Sequence, residues 1–189
     1  HTTRVDESQP VPSTLVSEAA RTLITFSGVT ILPDIPEYYR KYPALLNFLS
    51  AQKMPWRESR TLAGEIGEDI VMMRETDDAY LVGAATNESG RMIDLPLSFL
   101  EKGKYTVEVI EDGDDAHYLT NRESLKTTTR QLTNNDKLTL KLAPGGGACL
   151  VIKKTPSMRV REQATFPLVS PSEKMNADIK VGGKNVEID

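Results

Sequence analysis

Cysteine is almost missing from this chain. Cys149 stands alone, so the chain can close no disulfide on itself and hold no metal on paired thiolates. Histidine is nearly as scarce. His1 and His117 are the only two, and neither has a Cys or His at ligand spacing, which argues against zinc and leaves no Ser-His-Asp grouping to argue from. No apolar stretch approaches the ~20 residues that a membrane-spanning helix requires. No long basic run exists and the net charge is -4, which argues against a nucleic-acid surface. The chain opens on His1-Thr2-Thr3 with neither an initiator Met nor a leader, and this is expected to be a cut or processed end.

What is present is a globular composition. Over 189 residues, 39% are hydrophobic and 26% charged, enough for one domain with a real core and some additional structure. Residues 1–13 are polar, and Pro10 and Pro12 favour extended chain. Ser13 or Thr14 can cap a helix, and Glu18 suits its first turn. Leu15, Ala19, Leu23 and Phe26 then recur at helical spacing in a segment that stays apolar as far as Leu32. Gly28 and β-branched residues weaken its end, and Pro33 and Pro36 stop it. Pro36 opens a second short helix, and Ala44–Gln52 reads as a third. So apolar a first helix must cover something.

Beyond Trp56 the pattern changes. Eight short β-rich runs alternate with turn signals: 58–62, 70–75, 79–86, 91–95, 103–111, 125–132, 137–143 and 148–153. Such spacing predicts an antiparallel β-sandwich, making the chain mainly β behind a helical leader. Tyr105, Val107 and Val109 should share one face, with Thr106, Glu108 and Ile110 on the other. After Lys154 the pattern fades, and 155–189 reads as an extended tail or added hairpin.

Several residues invite a chemical reading. Asp112-Gly113-Asp114-Asp115 puts oxygen ligands at the short spacing calcium favours, but it lacks the full loop pattern and closing Glu, so a solvated turn is expected. Trp56, Tyr38, Tyr39 and Tyr42 could stack on sugars or wedge packed layers together, and the second reading is favoured. Gly145-Gly146-Gly147 has no following Lys-Ser/Thr and precedes a strand, so it is a tight turn and not a phosphate loop. Cys149 reads as a small core residue.

Five segments carry a resemblance. They are Trp56-Arg57-Glu58-Ser59 through Leu62, Gly64 and Gly67; Tyr80-Leu81-Val82-Gly83-Ala84-Ala85-Thr86-Asn87; Leu95-Pro96-Leu97-Ser98-Phe99-Leu100 with Gly103 and Tyr105; Ile110 to Ala116; and Ala143-Pro144-Gly145-Gly146-Gly147. In this order and spacing they resemble the C-terminal domain of glycoside hydrolase family 97, a group of bacterial α-glucosidases and α-galactosidases. The resemblance implies that residues 1–54 end a (β/α)8 catalytic barrel, that 55–154 form the C-terminal β-sandwich, and that 155–189 are an extension. It also implies that the first helix buries its apolar face against a barrel sheet, not against the sandwich.

The function so implied is the non-catalytic C-terminal portion of a retaining or inverting α-glycosidase. The alternative is a free-standing carbohydrate-binding sandwich. No catalytic or metal residue is expected in this chain. Arg4, Asp6 and Glu7 fall in the segment that would follow the eighth barrel strand, at the active-site mouth, and are candidates to touch substrate, although loop residues are mostly solvated. Calcium would belong to the complete enzyme, held by glutamates upstream. The implied partners are the rest of the barrel and the N-terminal domain, in the same or a second polypeptide, and an oligosaccharide substrate. The implied location is periplasmic or secreted.

Overall fold

The computed structural model describes residues 12–25, 27 and 36–156. Among them are three helices, α1 (Leu15–Ile24), α2 (Pro36–Arg40) and α3 (Pro43–Ala51). Eight strands follow: β1 (Glu58–Glu65), β2 (Asp69–Glu75), β3 (Tyr80–Thr86), β4 (Arg91–Pro96), β5 (Lys104–Asp112), β6 (Leu125–Thr133), β7 (Lys137–Leu142) and β8 (Gly147–Lys154). All eight expected strands are present, with ends shifted by a few residues. Arg4, Asp6, Glu7, Phe26, the segment from Gly28 to Ile35 and the tail after Pro156 lie outside the described residues.

Six strands form one antiparallel sheet in the order β1-β2-β3-β8-β5-β6, and β4 pairs with β7 in a second. The period-two alternation of β5 sorts its side chains as expected. Tyr105, Val107 and Val109 point into the core between the sheets, where they meet Ile93, Leu95, Leu138, Leu140 and Leu142. Ile110 points to the opposite, outer face. Central β8 is buried on both faces, which explains why Ala148–Ile152 is a continuous apolar run and not an alternating one. Ala148, Leu150 and Ile152 face the inner core, while Cys149 and Val151 face outward.

That outer face carries a second core, and here one expectation is overturned. The apolar stripe of α1, formed by Val16, Ala19, Ala20 and Leu23, packs on Leu81, Ile110, Cys149 and Val151 of the six-stranded sheet, with Leu45 and Phe48 of α3 alongside. The helix therefore covers the sandwich itself and not a barrel sheet. The physical reason lies in the sheet. Its outer face carries an apolar patch, Leu81, Ile110, Cys149 and Val151, that cannot be left in water, and Gly83 and Gly147 open a track for the helix. A Cβ on Gly83 would lie 2.8 Å from the Ala20 carbonyl oxygen, and one on Gly147 would lie 2.7 Å from the Ser17 Cα. These two glycines let backbone pack on backbone.

Candidate functional site

The place where the chain's N-terminal segment meets the sandwich is the most elaborately built part of the molecule. Thr14 caps α1, its side-chain oxygen accepting from the Ser17 N–H at 3.2 Å. The Thr14 hydroxyl in turn donates to Asp112 Oδ1 at 2.7 Å. Asp112 Oδ2 accepts from the backbone N–H groups of Ala143, at 3.0 Å, and Gly147, at 2.8 Å. Thr14 N–H donates to the Gly145 carbonyl and Leu15 N–H to the Arg122 carbonyl, so the strand-connecting loops grip the helix start. Gly145 adopts φ +66, as a tight turn here demands.

Asp112 is 1% exposed, so the expectation of a solvated turn holds only for its neighbours Asp114 and Asp115. Burial pushes its carboxyl pKa up, opposed by the hydrogen bonds from Thr14, Ala143 and Gly147. A buried carboxylate accepting three donors is an architectural group, and its position near the α1 N-terminus suits the helix dipole. The other end of α1 is held by opposite charge. Arg74, 5% exposed, donates from Nε to the Leu23 carbonyl and from Nη2 to the Ile24 carbonyl. Its guanidinium lies 4.6 Å from the Trp56 ring centroid. Sequence patterning offered Ser13 or Thr14 as the cap, of which Thr14 fills the position, and pointed to neither Asp112 nor Arg74. Their partners lie 98 and about 50 residues away along the chain, so no local signal exists.

The tyrosines of α2 and its C-terminal turn form a smaller anchor. Glu123 accepts from the Tyr38 hydroxyl at 2.6 Å, the Tyr42 hydroxyl at 2.6 Å and Lys41 Nζ at 2.9 Å. The Tyr38 and Tyr42 rings meet edge to face at 5.8 Å. These rings tie the helices to the sandwich, and Trp56 packs beside the outer core. The hydrogen bonds from Tyr38 and Tyr42, with Lys41, pull Glu123 from an ordinary 4.5 to about 2. A carboxyl so depressed contributes stability above its ordinary pKa and loses it as pH falls toward about 2. Because Glu123 is 42% exposed, solvent screening keeps this below about 1 kcal/mol. Acid titration of the urea midpoint should show this loss between pH 4.5 and 2, and Glu123→Gln should remove that part of the slope.

No catalytic constellation assembles among the described residues. A glycosidase needs a positioned pair of carboxyl groups. The open cleft of about 500 Å³ between α3 and the sheet contains only one, Glu108, which already accepts from Asn47 Nδ2 at 2.7 Å. No three His, Cys, Asp or Glu side chains among the described residues are grouped to hold a metal. Cys149 is fully enclosed, its thiol pushed well up by burial. Tyr105 is buried and donates to the Glu101 carbonyl, so its ring is not available to stack on a sugar. No helix of the described residues is long and apolar enough to cross a membrane.

The comparisons with known proteins agree with this geometry. Residues 55–153 match the family model described as "Glycosyl-hydrolase 97 C-terminal, oligomerisation". The chain belongs to glycoside hydrolase family 97. It carries that family's C-terminal domain. A retaining α-galactosidase of Bacteroides thetaiotaomicron is 35% identical over 127 residues, covering 67% of this chain and 19% of the relative. A family 97 enzyme from Pseudoalteromonas sp. strain K8, solved in complex with acarbose, superposes with a TM-score of 0.73 at 30% identity, covering 77% of this chain and 23% of that one. A β-arabinopyranosidase shares the fold at 23% identity, with a TM-score of 0.60 over 75% of this chain and 21% of that one. The chain thus spans about a fifth of the length of the family 97 relatives it matches.

Proposed function

We propose that this chain is the non-catalytic C-terminal portion of an α-glycosidase, an α-galactosidase or α-glucosidase of retaining or inverting type, and that it packs on and stabilises the catalytic barrel. The observation that carries this reading is α1. The sandwich holds it at both ends, through Asp112 and Arg74, so a segment lying N-terminal to the matched domain is structurally one body with it. A barrel joined through that helix would be tethered rigidly. In the assembled enzyme Arg4, Asp6 and Glu7 would approach the barrel mouth and touch the oligosaccharide. Calcium, where the complete enzyme uses it, would be held by barrel residues outside this chain, and the enzyme would work in the periplasm or outside the cell.

The 189-residue chain is expected to show no turnover of aryl α-galactosides or aryl α-glucosides. Turnover that survives purification and disappears on mutating an acid of this chain would overturn the proposal. The rival reading, a free-standing carbohydrate-binding module, needs a row of exposed aromatic rings. The large hydrophobics exposed among the described residues are Leu46, Met54, Ile66, Met92 and Leu119, all aliphatic. Calorimetric titration with malto- and galacto-oligosaccharides should give no heat of binding, and saturable binding would favour that rival.

A further inference from the structure

We infer that the outer edge of β6 is a seam at which two copies of this chain pair antiparallel about a two-fold axis centred on Thr129. The identity of the occupant rests on the family reading, whose matching model describes this domain as one of oligomerisation. The location of the seam rests on the strands themselves.

A free strand edge is a template for another strand, and natural sheets blunt their edges with bulges, prolines or opposed charges. The four edges formed by the described residues are blunted to different degrees. At the far side of the large sheet, β1 has a register break between Thr61 and Ala63 in its middle. In the small sheet, β4 ends on Pro96, which has no N–H to offer. Edge β7 carries Lys137 and Lys141, which would oppose each other if two copies paired about Thr139. Edge β6 also carries two cations, Lys126 and Arg130, but it is the longest of the four edge strands and has neither a register break nor a proline. It runs nine residues, Leu125–Thr133, with unbroken register against β5 and no Pro. Among the described residues no strand pairs with its other edge. Its composition, with Thr127, Thr128, Thr129 and Thr133, favours strand.

The register follows from the charges. A two-fold axis perpendicular to a continuous sheet must set same-face residues opposite one another, so it passes through a residue and not between two. Centred on Thr128, it would oppose Lys126 to Arg130. Centred on Arg130, it would oppose the two copies of that arginine. Centred on Thr129, it opposes Lys126 to Leu132, Thr127 to Gln131 and Thr128 to Arg130, with no like charges facing, and it uses all nine residues of the strand.

The test is self-cross-linking of the full chain. Opposed residues of an antiparallel pair have Cβ atoms about 4.5–5.5 Å apart, near disulfide reach. Thr129 is exposed and the native Cys149 is enclosed. Thr129→Cys should therefore oxidise to a covalent dimer, whereas Thr127→Cys alone should not, and Thr127→Cys with Gln131→Cys should. As a second measurement, Thr127→Lys with Gln131→Lys opposes two like-charged pairs and should raise the dimer Kd roughly tenfold, while Thr127→Lys with Gln131→Glu should restore it. Both positions are exposed, so folding is not at stake. A monomeric chain overturns the inference. So does a dimer that ignores the charge changes and cross-links equally at all positions, which would place oligomerisation on another face and leave the family reading untouched. Dimerisation that appears only after residues 157–189 are deleted would likewise overturn it in favour of the tail.

Discussion

Replacing Asp112 by Ala is expected to cost about 3–5 kcal/mol of stability, the scale seen when one member of a buried, charged hydrogen-bond network is removed. The loss would deprive the Ala143 and Gly147 N–H groups and the Thr14 hydroxyl of their acceptor at a buried position. Asp112→Asn should recover only part of this. The amide oxygen can take one set of donors, but the amide nitrogen then faces either the two backbone N–H groups or the Thr14 hydroxyl, and it accepts from neither. The natural comparison is Asp114→Asn, two residues on, where the side chain is 81% exposed and the expected change is within about 0.5 kcal/mol. Urea unfolding of the three variants checks the order. Equal, small effects at residues 112 and 114 would mean that the network is not load-carrying.

That contrast also shows where sequence reasoning ran out. Asp112, Asp114 and Asp115 are indistinguishable as letters in a turn between β-rich runs, and the turn reading is sound for two of them. The third differs only because Thr14 and the loop around Gly145 return to it from distant parts of the chain. Period-two alternation was a sufficient guide to β5 and β7 because each has one face in the inner core. It was less informative for β8, whose outward residues Cys149 and Val151 are also buried, and nothing local says what covers them. The helix was legible from its own spacing and from a cap at Ser13 or Thr14. Its destination was not, because an apolar stripe specifies that something must be covered, not what. Gly83 and Gly147 were the available signal. Glycine within a strand marks close approach of another backbone, and both lie on the two central strands where α1 settles.

If α1 belongs to the sandwich, its core residues should behave as sandwich core. Leu23 is 0% exposed, among Leu81, Cys149 and Val151, so Leu23→Ala is expected to cost about 2–5 kcal/mol, comparable with Leu140→Ala in the inner core. A helix that merely awaited a barrel would give a different result. Its polar variants would leave the chain's stability alone and improve its solubility. Leu23→Asp is therefore the sharper probe: it should unfold or severely destabilise the 189-residue chain and not solubilise it. The same reasoning predicts that residues 57–153, expressed without the helices, will expose Leu81, Ile110, Cys149 and Val151 and aggregate, although they contain all but the last residue of the eight-stranded sandwich. Gly83→Ala gives an independent check that leaves the helix sequence intact. The added methyl would meet the Ala20 carbonyl oxygen at 2.8 Å, and forcing the helix outward should cost about 1–3 kcal/mol. Wild-type stability in both Leu23→Ala and Gly83→Ala would mean that α1 contributes nothing to the sandwich in solution, and the tether proposed between this domain and a barrel would go with it.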